Sequence, residues 1–399
     1  MNLMPITLSD FYKKKFGRKV YKLAVDLGCS CPNRDGTLET RGCIFCSANG
    51  SGDFMPPKNL SVPEQLERAK ALVQKKAYGR SGPRLFGVEE VSAKEKNSQD
   101  QKAPRVFGVE MSLPRSKMSL PDMSLQNAKM SLPRATRQSL AFKNSLQGQK
   151  AAPLGQPTIF CNNQNSLQDQ KAPLLAAKSA LPAPAYIAYF QNFSNTYGGP
   201  QILRQKYFAA LSVPDIVGVD IATRPDCLGD EIIRVIKELS QKTFVTVELG
   251  LQTVRQKTAD YIRRGYDTSV YFEAVAALKK NCPAVHIVTQ IIFGLPGESD
   301  GDMMETVRRA VECGTDGIKI TCLYVLAGTD LEKDWRAGKV ECLTKERYFE
   351  LLKKAARLFP PGLVVHRLTG DGPKKILLAP EWTKNKRQVL NELAALHLF

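Results

Sequence analysis

Outside one long interruption, apolar and polar positions along this chain follow two periods by turns, one of two residues and one near 3.6, predicting strands alternating with helices. Short runs dense in β-branched and aromatic residues predict strands at 21–26, 186–190, 216–222, 244–249, 285–293, 317–322 and 364–367. Amphipathic stretches between them predict helices at 201–211, 230–241, 254–263, 269–280, 300–313 and 345–358. The phrase SVPE at 61–64 combines a capping box with a proline near the start of a further helix that runs to about residue 76. Strand and helix in regular turn with short connections give an α/β fold, a full or partial (β/α) barrel whose parallel sheet is covered by helices. Ligands of such folds sit at the C-terminal ends of the strands, so the residues there are the ones to read for chemistry.

The pattern breaks between about 79 and 184, where Ser, Gln, Lys, Pro and Met dominate and neither period holds. Phrases echo one another: RLFGVE at 84–89 and RVFGVE at 105–110, SLPR at 112–115 and 131–134, QDQKAP at 99–104 and 168–173. Their spacing is irregular, unlike the fixed period of a solenoid. Too poor in clustered apolar residues to offset the entropy of ordering, the segment is expected to be disordered, with a partner-binding tether as the alternative.

The chain has 399 residues and 43% hydrophobic content, enough for one large α/β domain and a smaller one. No apolar run approaches the ~20 residues that cross a bilayer, and residues 1–20 carry no signal-like stretch; no membrane association and a cytoplasmic location are expected. A net charge of +18 invites a nucleic-acid reading through counterion release. Part of that excess lies in the 79–184 segment, however, and the rest is scattered over pairs such as Arg263 and Arg264, Lys279 and Lys280, and Lys353 and Lys354, read as solvated faces.

Ten cysteines change the picture more, because four fall within eighteen residues, at Cys29, Cys31, Cys43 and Cys46. They follow the predicted strand at 21–26, in the phrases CSCPNRDG and CIFC. Clustered thiolates select iron–sulfur clusters, zinc or copper(I), and Cys-x-x-Cys lets two sulfurs of one loop reach the same centre. Four ligands saturate a structural zinc, whereas three leave one iron of a cubane open to an outside ligand. Cys29 and Cys31 lie two apart and share a side of an extended backbone, so spacing alone leaves both readings standing. Cys227, Cys282, Cys313, Cys322 and Cys342 are isolated and read as packing residues, Cys322 being the one at a strand end; Cys161 has no assigned role.

The phrase CPNRDG at 31–36 and the frame CIFC at 43–46 resemble the YhcC-like branch of radical SAM proteins, related to the elongator catalytic subunit and to oxygen-independent coproporphyrinogen dehydrogenases. The resemblance covers nearly the whole chain apart from 79–184. It implies a partial TIM-type barrel of radical SAM type with a small C-terminal extension. Residues 1–78 are then the cluster-binding part of the core, 79–184 an insertion, 185–325 the remainder of the barrel and 326–399 the extension. It further implies a [4Fe–4S] cluster on Cys31, Cys43 and Cys46, Cys29 being an extra residue. By the same resemblance, S-adenosylmethionine (SAM) is expected to chelate the open iron and to be cleaved to a 5′-deoxyadenosyl radical. An electron donor such as flavodoxin or ferredoxin is expected, and the substrate is a small molecule or tRNA. The other class of reading is a zinc-stabilised nucleic-acid-binding module without catalysis.

Residues at the predicted strand ends supply the remaining candidates. Phe45 is read near adenine or as an apolar loop anchor. The phrase YFQNFSNTY at 189–197 offers Gln191, Asn192, Asn195 and Thr196, of which Gln191 and Asn195 are taken for SAM, against the alternative of a turn-forming loop. Glu248 sits in an apolar strand and needs a partner, which a ribose diol or the SAM amine would supply; with Gln252 it is assigned to the cofactor. Arg224 and Asp226 bind ligand or pair with each other. Phe293 and Gly294, in the glycine-rich turn IIFGLPGE at 291–298, face adenine by the resemblance, and Glu298 caps the following helix. The late phrase VHRLTGD at 365–371, with His366, Arg367, Thr369 and Asp371, is read as a substrate loop or a solvated turn, and His286 as a core histidine.

Overall fold

A computed structural model describes residues 4–50, 59–78, 183–370 and 372–398. The insertion predicted at 79–184 thus lies outside the described residues except for Ala183 and Pro184, as do Cys161 and Asp371. Along the chain the strands are β1 (Ile6–Thr7), β2 (Val20–Val25), β3 (Ala185–Phe190), β4 (Ile216–Thr223), β5 (Phe244–Gln252), β6 (His286–Phe293), β7 (Gly317–Cys322), β8 (Val325–Leu326), β9 (Val364–Arg367) and β10 (Leu377–Ala379). The helices are α1 (Leu8–Phe16), α2 (Val62–Tyr78), α3 (Pro200–Ala210), α4 (Asp230–Ser240), α5 (Gln256–Tyr261), α6 (Thr268–Asn281), α7 (Asp300–Glu312), α8 (Asp330–Arg336), α9 (Lys345–Ala356) and α10 (Lys386–Ala395).

Eight of these strands form one sheet in the order β2-β3-β4-β5-β6-β7-β9-β1, every pairing parallel. β1 and β2 end the row without pairing to each other, so the sheet curls into a partial barrel. β8 and β10 make a separate antiparallel pair. Although 79–182 separates them in sequence, β2 and β3 pair in unbroken register from Val20 against Ala185 to Val25 against Phe190. β9, beyond residue 325, pairs with β7 inside the main sheet.

Alternation along each strand sorts its side chains between two faces. Val245, Val247, Leu249 and Leu251 of β5 enter the main core beneath the helices, as do Ile287, Ile291 and Phe293 of β6 and Ile318, Ile320 and Cys322 of β7. The opposite face carries Lys22, Tyr189, Asp220, Thr246, Glu248, Gln290 and Lys319. It is therefore a polar interior, where barrels of this kind more often stack branched aliphatic residues. Its lower mouth is closed by α1: Phe11 stacks on His286 at 4.9 Å and Phe16 meets Phe244 edge-on at 5.8 Å, at the first residues of β6 and β5.

The α2 capping box forms, with the Ser61 amide donating to Glu64 Oε2 at 2.7 Å. The helix predicted at 254–263 shrinks to α5, because Arg263 takes a left-handed φ of 55° and turns the chain inward. Six short elements, β1, α1, β8, α8, β10 and α10, were not predicted; β1 and β8 span two residues each, too few to show a period.

Candidate active site

The cysteine loop is held by its own sequence. Arg34 and Asp35 donate amides to the Cys31 carbonyl at 2.8 and 3.3 Å, and the Cys46 amide donates to the Cys43 carbonyl at 3.0 Å. The fully buried Asn33 donates Nδ2 to the carbonyls of Arg263 and Arg264 at 2.7 and 3.0 Å, tying the loop to the turn after α5. Gly265 has φ +83°, and a Cβ there would stand 2.5 Å from Asn33 Oδ1. Arg34 folds across the loop and donates Nη2 to the carbonyls of Cys46 and Ser47 at 2.9 and 2.6 Å. The phrase around Cys31 thus builds the loop as well as supplying a thiol.

Cys31, Cys43 and Cys46 line one cavity of about 190 Å³ at the C-terminal ends of the strands. Cys29 is not on its wall and packs against the main core, where burial pushes its thiol up to about 11. Donors approach two of the lining sulfurs, Asn33 Nδ2 at 3.6 Å from Cys43 and Arg224 Nη1 at 4.0 Å from Cys31. Burial, reinforced by Cys46, raises the Cys43 thiol to about 12. Among the described residues no three His, Cys, Asp or Glu side chains are grouped as ligands of one metal ion.

Of the other predicted contacts, Phe45, Gln191 and Gln252 line the same cavity. Phe45 also packs against the small apolar cluster of Ile44, Ile262 and Leu295, so it anchors its loop as well. Gln252 ends β5 at an irregularity in the register, with a left-handed φ of 57° that aims its amide inward. Tyr266 donates its hydroxyl to Gln252 Oε1 at 3.2 Å. Arg224 meets both of its readings: it forms a two-pronged pair with Asp226 at 2.9 and 2.6 Å and lines the cavity.

Four assigned contacts lie elsewhere. Asn195 is fully buried and clips the backbone, donating Nδ2 to the carbonyls of Phe190 and Ala222 at 2.9 and 2.8 Å. Its neighbours Asn192 and Thr196 are likewise buried, on Asp26 and Thr223. Phe293 faces the helices, edge-on to Tyr348 at 6.3 Å, and neither it nor Gly294 lines the cavity. Glu248 does not line the cavity either, and it finds partners within the protein. Lys22 Nζ lies 3.0 Å from Oε1; Lys319 Nζ, Tyr189 OH and Gln290 Nε2 donate to Oε2 at 2.8, 2.7 and 2.8 Å. Burial alone would raise this carboxyl, but Lys22 and Lys319 outweigh it and hold Glu248 well below the usual range.

Sequence reasoning missed the rest of that group. Asp220 pairs with Lys22, and Lys319 donates to Tyr189 at 2.9 Å. The argument applied to Glu248, that a charge in an apolar strand needs a partner, finds Lys22, Asp220 and Lys319 equally. Arg264, expected on a solvated face, is 2% exposed. Its guanidinium donates to the carbonyls of Leu251, Thr253 and Tyr266 at 2.7 to 3.2 Å. Arg263 pairs with Asp330. His366 faces the interior as the partner of His286, their Nε2 atoms 3.0 Å apart, which satisfies His286 and removes His366 from the substrate loop. Glu298 accepts from Thr253, while the α7 cap belongs to Ser299 and Asp302.

Comparison with known proteins bears on the whole chain. The radical SAM superfamily pattern matches residues 191–310, and that of the radical SAM C-terminal domain residues 315–396. The cysteine loop precedes both. The Bacillus subtilis protein YtqA is 31% identical over 97% of this chain and 87% of its own length. Escherichia coli YhcC is 26% identical over 95% of this chain and 88% of its own length. The tRNA uridine(34) acetyltransferase of Methanocaldococcus jannaschii is 26% identical over 41% of this chain and 30% of its own length. The likeness to YtqA spans cysteine loop, barrel and C-terminal region together, and with both family patterns in order along it the chain belongs to the radical SAM superfamily, as an enzyme that uses a [4Fe–4S] cluster and S-adenosylmethionine.

Proposed function

We propose that Cys31, Cys43 and Cys46 each ligate one iron of the cluster, leaving the fourth iron for SAM, and that Phe45, Gln191 and Gln252 line the cofactor. The observation that carries this is the sharing of one cavity by these three thiols while Cys29 stands outside it. Three thiolates on one cavity suit a cluster that leaves an iron open to an outside ligand. When bound there and reduced by a donor such as flavodoxin or ferredoxin, the cluster would supply the electron for cleavage of a carbon–sulfur bond of SAM, the chemistry of a 5′-deoxyadenosyl radical enzyme.

The chain's own residues orient the cofactor and exclude other reactions. Asn33 and Arg34 fix the loop, Arg224 and Asn33 place donors toward sulfur, and the amides of Gln191 and Gln252 offer partners for the methionyl group or the ribose. An oxygen-sensitive cluster held by thiolates suits a reducing cytoplasm. Beside a small molecule, a tRNA substrate is the second reading, supported by the +18 charge and by the tRNA-modifying relative. Steep weakening of tRNA binding with salt would support that second reading.

Anaerobic reconstitution tests the assignment. The chain is expected to bind iron and labile sulfide and to form 5′-deoxyadenosine, Cys43→Ala to lose both, and Cys29→Ala to keep both. A colourless zinc-filled site, or an intact iron centre after replacement of all three cysteines, overturns it.

A further inference from the structure

Six cations, Lys13, Lys14, Lys15, Arg18, Lys19 and Lys22, fall within ten residues of the sequence, with no Asp or Glu between them. Lys13, Lys14 and Lys15 stand in the last turn of α1, where basic side chains offset the partial negative charge of a helix C-terminus. Arg18, Lys19 and Lys22 lie past that turn, so the helix does not account for them. Gly17, at φ 67°, ends α1, and β2 begins three residues later as an outer strand of the sheet.

Between them, α1, this turn and β2 line a second cavity, of about 600 Å³, which shares no described lining residue with the cofactor cavity. Lys13, Arg18, Lys19 and Lys22 line it, and among the described residues no carboxylate does. Two of these charges are already engaged. Lys22 pairs with Asp220 and Glu248, while Arg18 lies 3.5 Å from Asp215 and donates to the Ala183 carbonyl at 3.3 Å. Lys19 reaches over the Tyr21 ring, 4.8 Å from its centre. Lys13 is exposed and has no ion-pair partner among the described residues. Leu8, Val20, Tyr12 and Tyr21 supply an apolar part of the wall. The volume is that of a small-molecule site, and a phosphodiester backbone, which meets cations on an open face, has no need of such walls.

We propose that this second cavity binds a small organic anion, an acidic group joined to an apolar body. Lys13 meets the acidic group, and Leu8, Val20 and the two tyrosines cover the body. The site lies apart from the residues assigned to the cluster and SAM, so it stands or falls independently of the cysteine assignment.

The test is calorimetric titration of the full, anaerobically reconstituted chain with 2-naphthoate, with neutral 2-naphthamide and inorganic phosphate in parallel. Saturable binding of one naphthoate per chain is expected, at least about tenfold tighter than either control and unchanged by saturating SAM. Lys13→Glu places like charge beside the acid and weakens naphthoate at least about tenfold, while SAM binding stays as it was. Ser9 is an exposed lining residue in the first turn of α1, so Ser9→Trp fills the cavity from its rim and abolishes naphthoate binding. Both substitutions are at exposed positions, and an unchanged far-UV circular dichroism spectrum separates lost binding from lost folding. No saturable naphthoate binding, equal binding of naphthamide, a preference for phosphate, displacement by SAM, or wild-type affinity in either variant overturns the proposal.

Discussion

Two side chains show how much a single residue holds here. Asn33 links the cysteine loop to the turn at Arg263 and Arg264, so Asn33→Ala should lower iron bound per chain after reconstitution while far-UV circular dichroism stays unchanged. Arg264 satisfies carbonyls at the end of β5 and in the following turn. Arg264→Met strands those acceptors in a buried place and should cost about 3 kcal/mol, seen as a lower urea midpoint with an unchanged slope. The three cavity cysteines were legible from type and spacing together with the family resemblance. Arg264 was not, since an arginine beside another arginine at a helix end looks solvated until the fold wraps five hydrogen-bond acceptors around it.

Strand β5 is the element on which the site turns. Its even positions, Thr246, Glu248, Gly250 and Gln252, face the polar interior, and its odd ones fill the core. A Cβ on Gly250 would stand 2.3 Å from Gln252 Nε2, the movable end of a side chain. Gly250→Ala should therefore leave the melting temperature nearly unchanged but weaken SAM binding, measured by equilibrium dialysis, as Gln252 swings away. In β4 the same substitution meets backbone: a Cβ on Gly218 would lie 2.7 Å from the Phe244 carbonyl oxygen. Gly218→Ala should cost about 1–3 kcal/mol without a selective effect on SAM. Most strands were legible within a residue or two because each has one apolar face. The register irregularity between Gly250 and Gln252 was not, because it depends on pairing with β6.

At the scale of the molecule, the buried charges make stability depend on pH in two opposing ways. Burial and the nearby Glu248 raise Asp220 to about 7, against the pull of Lys22 and Lys319. Tyr12 and Tyr189 also face this carboxyl. Its folded value exceeds its unfolded one of 3.8, so the folded state binds the proton more tightly and stability falls as pH rises between those values. Glu248 has the reverse sign: it is held low, and the stability it contributes is lost on acidification below its unfolded value of 4.5. Asp220→Asn should abolish the decline between about pH 4 and 7 in chemical denaturation, leaving the acid loss due to Glu248 in place. A flat wild-type profile across that window would contradict this account.

The sequence by itself determined the βα alternation, the clustering of thiols and the family, because these reside in local period, residue type and short phrases. Tertiary structure alone decided which polar residues share the barrel interior. Lys22, Asp220, Glu248 and Lys319 come from four strands spread over most of the chain, and only parallel pairing brings their inward faces to one place. It also placed Glu248 at the centre of an ion group, since a buried carboxylate takes the nearest cations and the fold supplies two.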